Sequence, residues 1–209
     1  VSGRAEDGNI GTPGTNELLR NTASITFENA AGDSLTESDR ADVRIATPNV
    51  QLDKTASPLI VSAGDTVDYV IDILNPQRSR DAPAFDLTLS DTLAPELTLD
   101  PASIMVFLNG SATAEVFDGI NFGLTTSVGG DPNAFEVFID RLDQNDTIRI
   151  EYSGVADPDI AAGLTLPNTA DLVFDTTPED DSAADGDDRD LSLNASAVVV
   201  TTSPELSKE

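Results

Sequence analysis

The chain has 209 residues, 38 of them acidic and 11 basic, for a formal charge of −27 at pH 7. That charge excludes nucleic acid and anionic membrane surfaces as partners, because both repel it. The absence of His and Cys excludes a Ser-His-Asp hydrolase, a His-ligated zinc enzyme and disulfide stapling.

Apolar residues make up 39% of the chain, with no Trp and 5% aromatics, which suits a sandwich core of Val, Leu, Ile and Phe. No apolar run reaches membrane-spanning length and residue 1 opens no signal peptide, so no membrane insertion is expected. In chain order, residues 1–20 read as a Gly/Asn/Thr-rich tail. Asn21–Phe27 alternates as a half-buried strand, an acidic turn follows, and Ala41–Ala46 returns. Thr47-Pro48 marks a joint, since Pro holds the residue before it extended. Further strands are expected at Val50–Lys54, Thr66–Leu74 (closed by Asn75-Pro76) and Phe85–Leu89 (closed by an Asp91–Pro95 turn). Ile104–Leu108 runs into an Asn109-Gly110 hairpin with Glu115–Phe117. Ala134–Ile139, Thr147–Tyr152, Asn168–Phe174 and Leu191–Thr201 complete the set. Many short strands between Gly, Pro, Asn and Asp turns, with no helical period, predict an all-β, immunoglobulin-like β-sandwich.

One stretch occurs twice. Asn21-Thr22-Ala23-Ser24-Ile25-Thr26-Phe27 has a near copy in Asn168-Thr169-Ala170-Asp171-Leu172-Val173-Phe174, 147 residues on. Each is followed by an acidic loop, an apolar run and a Pro-led segment ending in Lys, Pro48 to Lys54 and then Pro204 to Lys208. The period fits a whole domain. The expected organisation is a tail and hairpin from a preceding repeat (1–47), a complete sandwich (48–203) and the start of a following repeat (204–209). Neighbouring repeats of the same chain are the expected partners.

Lys54-Thr55, Gly64-Asp65-Thr66-Val67 leading into Tyr69-Val70-Ile71, Ser90-Asp91-Thr92-Leu93 and Asn168-Thr169-Ala170 together resemble the conserved-repeat domain of bacterial surface proteins, long catalogued as a domain of unknown function. That family is similar in turn to the isopeptide-forming domains of pilins and collagen-type adhesins. The resemblance covers residues 48–203. It implies an extracellular, cell-surface stalk or spacer and no substrate, and it raises the question of a Lys–Asn isopeptide bond.

Strand parity bears on that question independently. Lys54 shares a face with Val50 and Leu52, Asp91 with Phe85, Leu87 and Leu89, and Asn168 with Leu164, Leu166, Ala170, Leu172 and Phe174. A buried lysine loses its proton more easily and a buried acid keeps one, which supplies an amine nucleophile and a proton carrier beside an amide. The same residues also suit plainer roles. Lys54 ends a strand and can snorkel, Asp91 suits a turn, and Asn168 follows Pro167 at a strand start.

The loop 175–190 holds eight carboxylates, namely Asp175, Glu179, Asp180, Asp181, Asp185, Asp187, Asp188 and Asp190. Such density favours a cation, and Ca²⁺ takes six to eight oxygens in flexible geometry, so calcium is the one cofactor expected. The competing reading is a ligand-binding adhesin module for a glycan or host protein, with the Gly/Asn-rich Ile120–Asp131 stretch as the place for a contact. Scarce aromatics weigh against sugar stacking, no external ligand is identified, and no enzymatic turnover is expected.

Overall fold

A computed structural model describes residues 17–77, 82–176 and 191–202. Its first element is a hairpin of β1 (Glu17–Glu28) and β2 (Ser34–Ile45), which forms a two-stranded sheet of its own. Ten strands follow: β3 (Gln51–Ser57), β4 (Ile60–Val61), β5 (Thr66–Leu74), β6 (Ala84–Thr92), β7 (Leu97–Leu108), β8 (Phe122–Thr126), β9 (Ala134–Leu142), β10 (Thr147–Ala156), β11 (Thr165–Asp175) and β12 (Leu191–Thr201). They form a four-stranded sheet, β3-β5-β10-β7, and a six-stranded sheet, β4-β12-β11-β6-β9-β8. All pairings within the two sheets are antiparallel except β4 with β12. This is an immunoglobulin-like sandwich.

Alternation places the core between the sheets. From the first sheet come Tyr69, Ile71 and Ile73 of β5, Ile104 and Val106 of β7, and Ile148, Ile150 and Tyr152 of β10. From the second come Leu87 and Leu89 of β6, Phe135, Val137 and Ile139 of β9, and Ala170, Leu172 and Phe174 of β11. Antiparallel strands with one wet and one dry face need only this period-two pattern to settle their register.

The chain enters and leaves the sandwich at opposite ends. At the first, Gln51 and Thr147 both stand opposite Leu74, and Asn75 is wholly buried, its Nδ2 donating to the carbonyls of Ala82 (3.0 Å) and Leu142 (3.2 Å). At the other, Thr201 pairs with Val61, Thr202 N donates to Val61 O, and Gly64 N donates to Ala156 O.

Several elements differ from the sequence reading. Phe85 does not share the core face of Leu87. Asp86 sits at φ 50 beside a register shift between β6 and β11, so Ala84 turns inward and Phe85 lies under the Arg141 guanidinium, 5.3 Å from its ring centre. Asp91 belongs to β6, which runs on to Thr92 with no turn at that point. β7 begins seven residues before Ile104 and accommodates Pro101 at a bulge, where Ser153 N donates to the Ser103 hydroxyl at 2.8 Å.

The Asn109-Gly110 turn is present, both residues having positive φ, but Glu115–Phe117 forms no strand and Glu115 N makes one bond to Val106 O. Within Ile120–Asp131, read as loop, lies β8 at the edge of the larger sheet. Its approach is shaped by Asp118, whose Oδ1 accepts from the backbone N–H of Ile120, Asn121 and Phe122. These bonds, with one from the Asn121 side chain, hold the Asp118 carboxyl down at about 2.

Candidate functional site

The three polar residues picked out by parity converge in the middle of the sandwich. Lys54 lies on β3 opposite Ile71, at the edge of the smaller sheet. Asp91 lies near the end of β6 in the larger sheet, opposite Ala170. Asn168, two residues before Ala170 on β11, is the diagonal neighbour of Asp91 on the same buried face. Lys54 is 5% exposed and Asp91 and Asn168 are 2% exposed, so none of the three snorkels or caps a turn at the surface.

Lys54 Nζ donates directly to Asp91 Oδ2 across the sheets. The Tyr152 hydroxyl donates to the same oxygen at 2.7 Å and accepts from Asn168 Nδ2 at 3.0 Å, so Tyr152 joins the pair to the amide. Tyr69 stacks on Tyr152 with ring centres 5.1 Å apart, and Phe135 closes edge-on at 4.8 Å. The lysine nitrogen sits 5.5 Å from the Tyr69 ring centre and 5.7 Å from that of Tyr152, within cation–π range. Aromatic walls thus take the place of water around the amine.

Three oxygens of this cluster remain without a hydrogen-bond partner among the described residues, Asp91 Oδ1, Asn168 Oδ1 and the Tyr69 hydroxyl. Each orphan of this kind costs about 1–3 kcal/mol. A proton on Asp91 Oδ1 turns an unsatisfied acceptor into a donor, and the Asn168 carbonyl is the acceptor lacking one.

The electrostatics favour that proton. Burial pushes the Lys54 amine below its ordinary pKa, with the Asp91 charge and hydrogen bond opposing and Asp171 opposing more weakly. Burial pushes the Asp91 carboxyl up, against the Lys54 charge and the hydrogen bonds of Lys54, Tyr152 and Asn168. Tyr69 is raised to about 12, by burial first and by the Asp91 charge second, and Tyr152 is raised further for the same reasons. Both members of the ion pair are therefore drawn toward their neutral forms. The arrangement holds an amine, a proton carrier and a carboxamide away from water, which is what amide exchange requires.

A pH prediction follows for Asp91. A Lys54→Met chain keeps the buried carboxyl without its cation, so its pKa is raised above the unfolded value of about 3.9. Stability from that group is full below about pH 4 and is lost as pH rises through the folded pKa, by at most about 1.4 kcal/mol per pH unit for one proton. Urea midpoints of Lys54→Met should fall with rising pH relative to the Lys54→Met/Asp91→Leu double variant. Parallel profiles for the two variants would show that Asp91 is not held protonated by burial.

Tyr152 and Tyr69 were missed in the sequence, where they read as ordinary members of alternating strands. For Tyr152 the available signal was the hydroxyl itself, because a tyrosine on a fully buried strand face calls for a polar partner, whereas the Tyr69 hydroxyl has none among the described residues. Of the eight carboxylates expected to hold calcium, Asp175 is described, as the last residue of β11. Glu179, Asp180, Asp181, Asp185, Asp187, Asp188 and Asp190 lie outside the described residues. Among the described residues no group of three or more His, Cys, Asp or Glu is placed to hold a metal ion. No described helix is long and apolar enough to cross a membrane.

No protein-family model matches this chain, and no curated protein sequence does. Solved structures do. The 35 kDa C-terminal fragment of the major pilin GBS80 of Streptococcus agalactiae superposes with a TM-score of 0.54 at 12% identity, covering 73% of this chain and 56% of that one. Domains D2 and D3 of the major pilin SpaD of Corynebacterium diphtheriae give 0.51 at 15% identity, covering 71% and 51%. The fold is that of pilin domains. BcpA, the major pilin subunit of Bacillus cereus, covers 86% of this chain and 47% of its own at a TM-score of 0.52 and 12% identity. This chain therefore spans about half the length of these three pilin chains, and at such identities the likeness concerns the fold.

Proposed function

We propose that residues 48–203 are a load-bearing spacer module of a bacterial surface stalk or pilus-like protein, locked by an amide between Lys54 Nζ and Asn168 Cγ. The observation that carries this reading is the buried chain of contacts from Lys54 through Asp91 and Tyr152 to Asn168, spanning both sheets. The pilin neighbours support the structural half of it, since their fold serves in pilus subunits. So does the course of the chain, in at one end of the sandwich and out at the other, which suits modules strung in a line.

In the proposed step Lys54 passes its extra proton to Asp91 and becomes a neutral amine. Protonated Asp91 polarises the Asn168 carbonyl through Oδ1 while the amine attacks Cγ. The Cγ–Nδ2 bond then breaks, and the proton lost by the new amide nitrogen travels through Asp91 to the leaving group. Ammonia departs, the proton taken from Lys54 stays on Asp91, and nothing is oxidised or reduced. Tyr152 holds both Asp91 and Asn168 in place for the reaction.

Intact mass of the folded protein tests this. The wild type should be lighter than its sequence by one ammonia, while Lys54→Ala, Asp91→Ala and Asn168→Ala should each show full mass. A wild type of full calculated mass would remove the bond and leave the constellation as a buried ion pair.

A further inference from the structure

Among the described residues the β1–β2 hairpin pairs with no further strand, and one of its faces is largely apolar. Ala23, Ile25, Phe27, Leu35, Ala41 and Val43 share that face, and Ile25 and Val43 are 65% and 61% exposed. The opposite face carries Arg20, Thr22, Ser24, Thr26, Ser38, Arg40 and Asp42. A strongly two-faced hairpin this exposed is marginal in water unless something covers it.

Its register says what. In β1–β2, Leu19 stands opposite Val43, Asn21 opposite Ala41 and Phe27 opposite Leu35. In β11–β12, Leu166 stands opposite Val199, Asn168 opposite Ala197 and Phe174 opposite Leu191. The first strands are offset by 147 residues (Asn21 to Asn168) and the second by 156 (Ala41 to Ala197), with no slip along either ladder. A one-residue slip would turn every side chain to the wrong face, so agreement at three separate rungs concerns face as well as sequence. Among the inward positions Ile25 stands where β11 has Leu172, an apolar exchange, and Asp39 and Glu37 stand where β12 has Ala195 and Leu193. Those two positions are only half-buried in β12.

We propose that β1–β2 is the closing hairpin of a preceding β-sandwich in the same polypeptide, and that Asn21 is that sandwich's cross-link acceptor. The occupant of the apolar face is then an aliphatic sandwich interior presenting a buried lysine–carboxylate pair. The proposal rests on the Lys54–Asn168 reading for its chemistry. The upstream amine bonds to Asn21 Cγ, and Nδ2 leaves as ammonia.

The test compares the 209-residue chain with one carrying its native upstream sequence, each with Ile25→Cys or, as an outward-facing control, Ser24→Cys. The chain has no cysteine of its own, so within these residues labelling reads the introduced thiol alone. The Ile25→Cys thiol should react freely in the shorter chain and roughly 100-fold more slowly in the longer one, where it is reached only by local opening. The Ser24→Cys thiol should react alike in both. A digest of the longer chain should contain a branched peptide joining Asn21 to a lysine upstream of residue 17. Equal Ile25→Cys rates in the two chains would overturn the docking, and protection with an unbranched Asn21 peptide would overturn the cross-link. The Lys54–Asn168 branch in the same digest separates the two readings. If it is present while Asn21 is unbranched, only this proposal fails; if it is absent, the cross-linking chemistry itself fails.

Discussion

An Asn168→Ala chain should unfold about 10–20 °C below the wild type, and the difference should follow from loss of the cross-link more than from loss of contacts. Joining residues 54 and 168 closes a loop of about 114 residues, which in the chain-entropy treatment of a disulfide is worth about 5 kcal/mol. For a domain of this size each kcal/mol moves the midpoint by about 2–4 °C. Even measured against the unbonded side chain, the alanine removes one buried hydrogen bond, from Asn168 Nδ2 to Tyr152, and one orphaned oxygen, effects of about 1 kcal/mol that partly cancel. Asp91→Ala provides a second route to the unbonded state, because it removes the proton carrier and leaves both bond-forming groups in place. Scanning calorimetry of the two variants should give similar large drops if the amide is what they share. A drop of only 2–4 °C in Asn168→Ala would mean that no covalent tie had been lost.

The core faces were legible because a half-buried strand has to alternate, and that constraint acts on every residue pair. Lys54, Asp91 and Asn168 stood out as polar side chains at positions where the alternation demands apolar ones, and the structure buries all three together. Thr66–Leu74 and Leu191–Thr201 came out with the bounds expected, since turn residues flank both. Features that depend on partners distant in sequence were not legible. β4 is two residues long and exists only because β12 runs beside it. β8 hides in a Gly/Asn-rich stretch and is held by pairing with β9. The bulge at Asp86 reverses the parity of Phe85 through a positive φ that no local signal announces. Tyr152 shows the same limit at the site. Its place in β10 was clear, but its two hydrogen bonds reach β6 and β11, which only the folded register brings within range.

Under tension the wild type should lengthen far less on unfolding than the unbonded variants. Force applied along the chain enters near Pro48 and leaves near Thr202, at opposite ends of the sandwich. Without the amide, unfolding frees the whole stretch between those points. With it, load passes from β3 through Lys54 to Asn168 and onward through β11 and β12, and the residues between 54 and 168 never feel it. A chain extends by at most about 3.3–3.6 Å per residue, so the roughly 114 sequestered residues hide about 400 Å of contour length. Force spectroscopy on tandem copies should show this shortfall in the wild type and the full length in Lys54→Ala, Asp91→Ala and Asn168→Ala. Equal contour lengths would mean that the sandwich is held by packing alone. The position of the proposed tie fits this load path. β3 is an edge strand whose ladder to β5 would be sheared directly by the pull, and that ladder is a series of hydrogen bonds each worth about 1 kcal/mol net. The proposed bond, four rungs into β3, would move the load off that ladder and onto the neighbouring sheet before β5 can be stripped away.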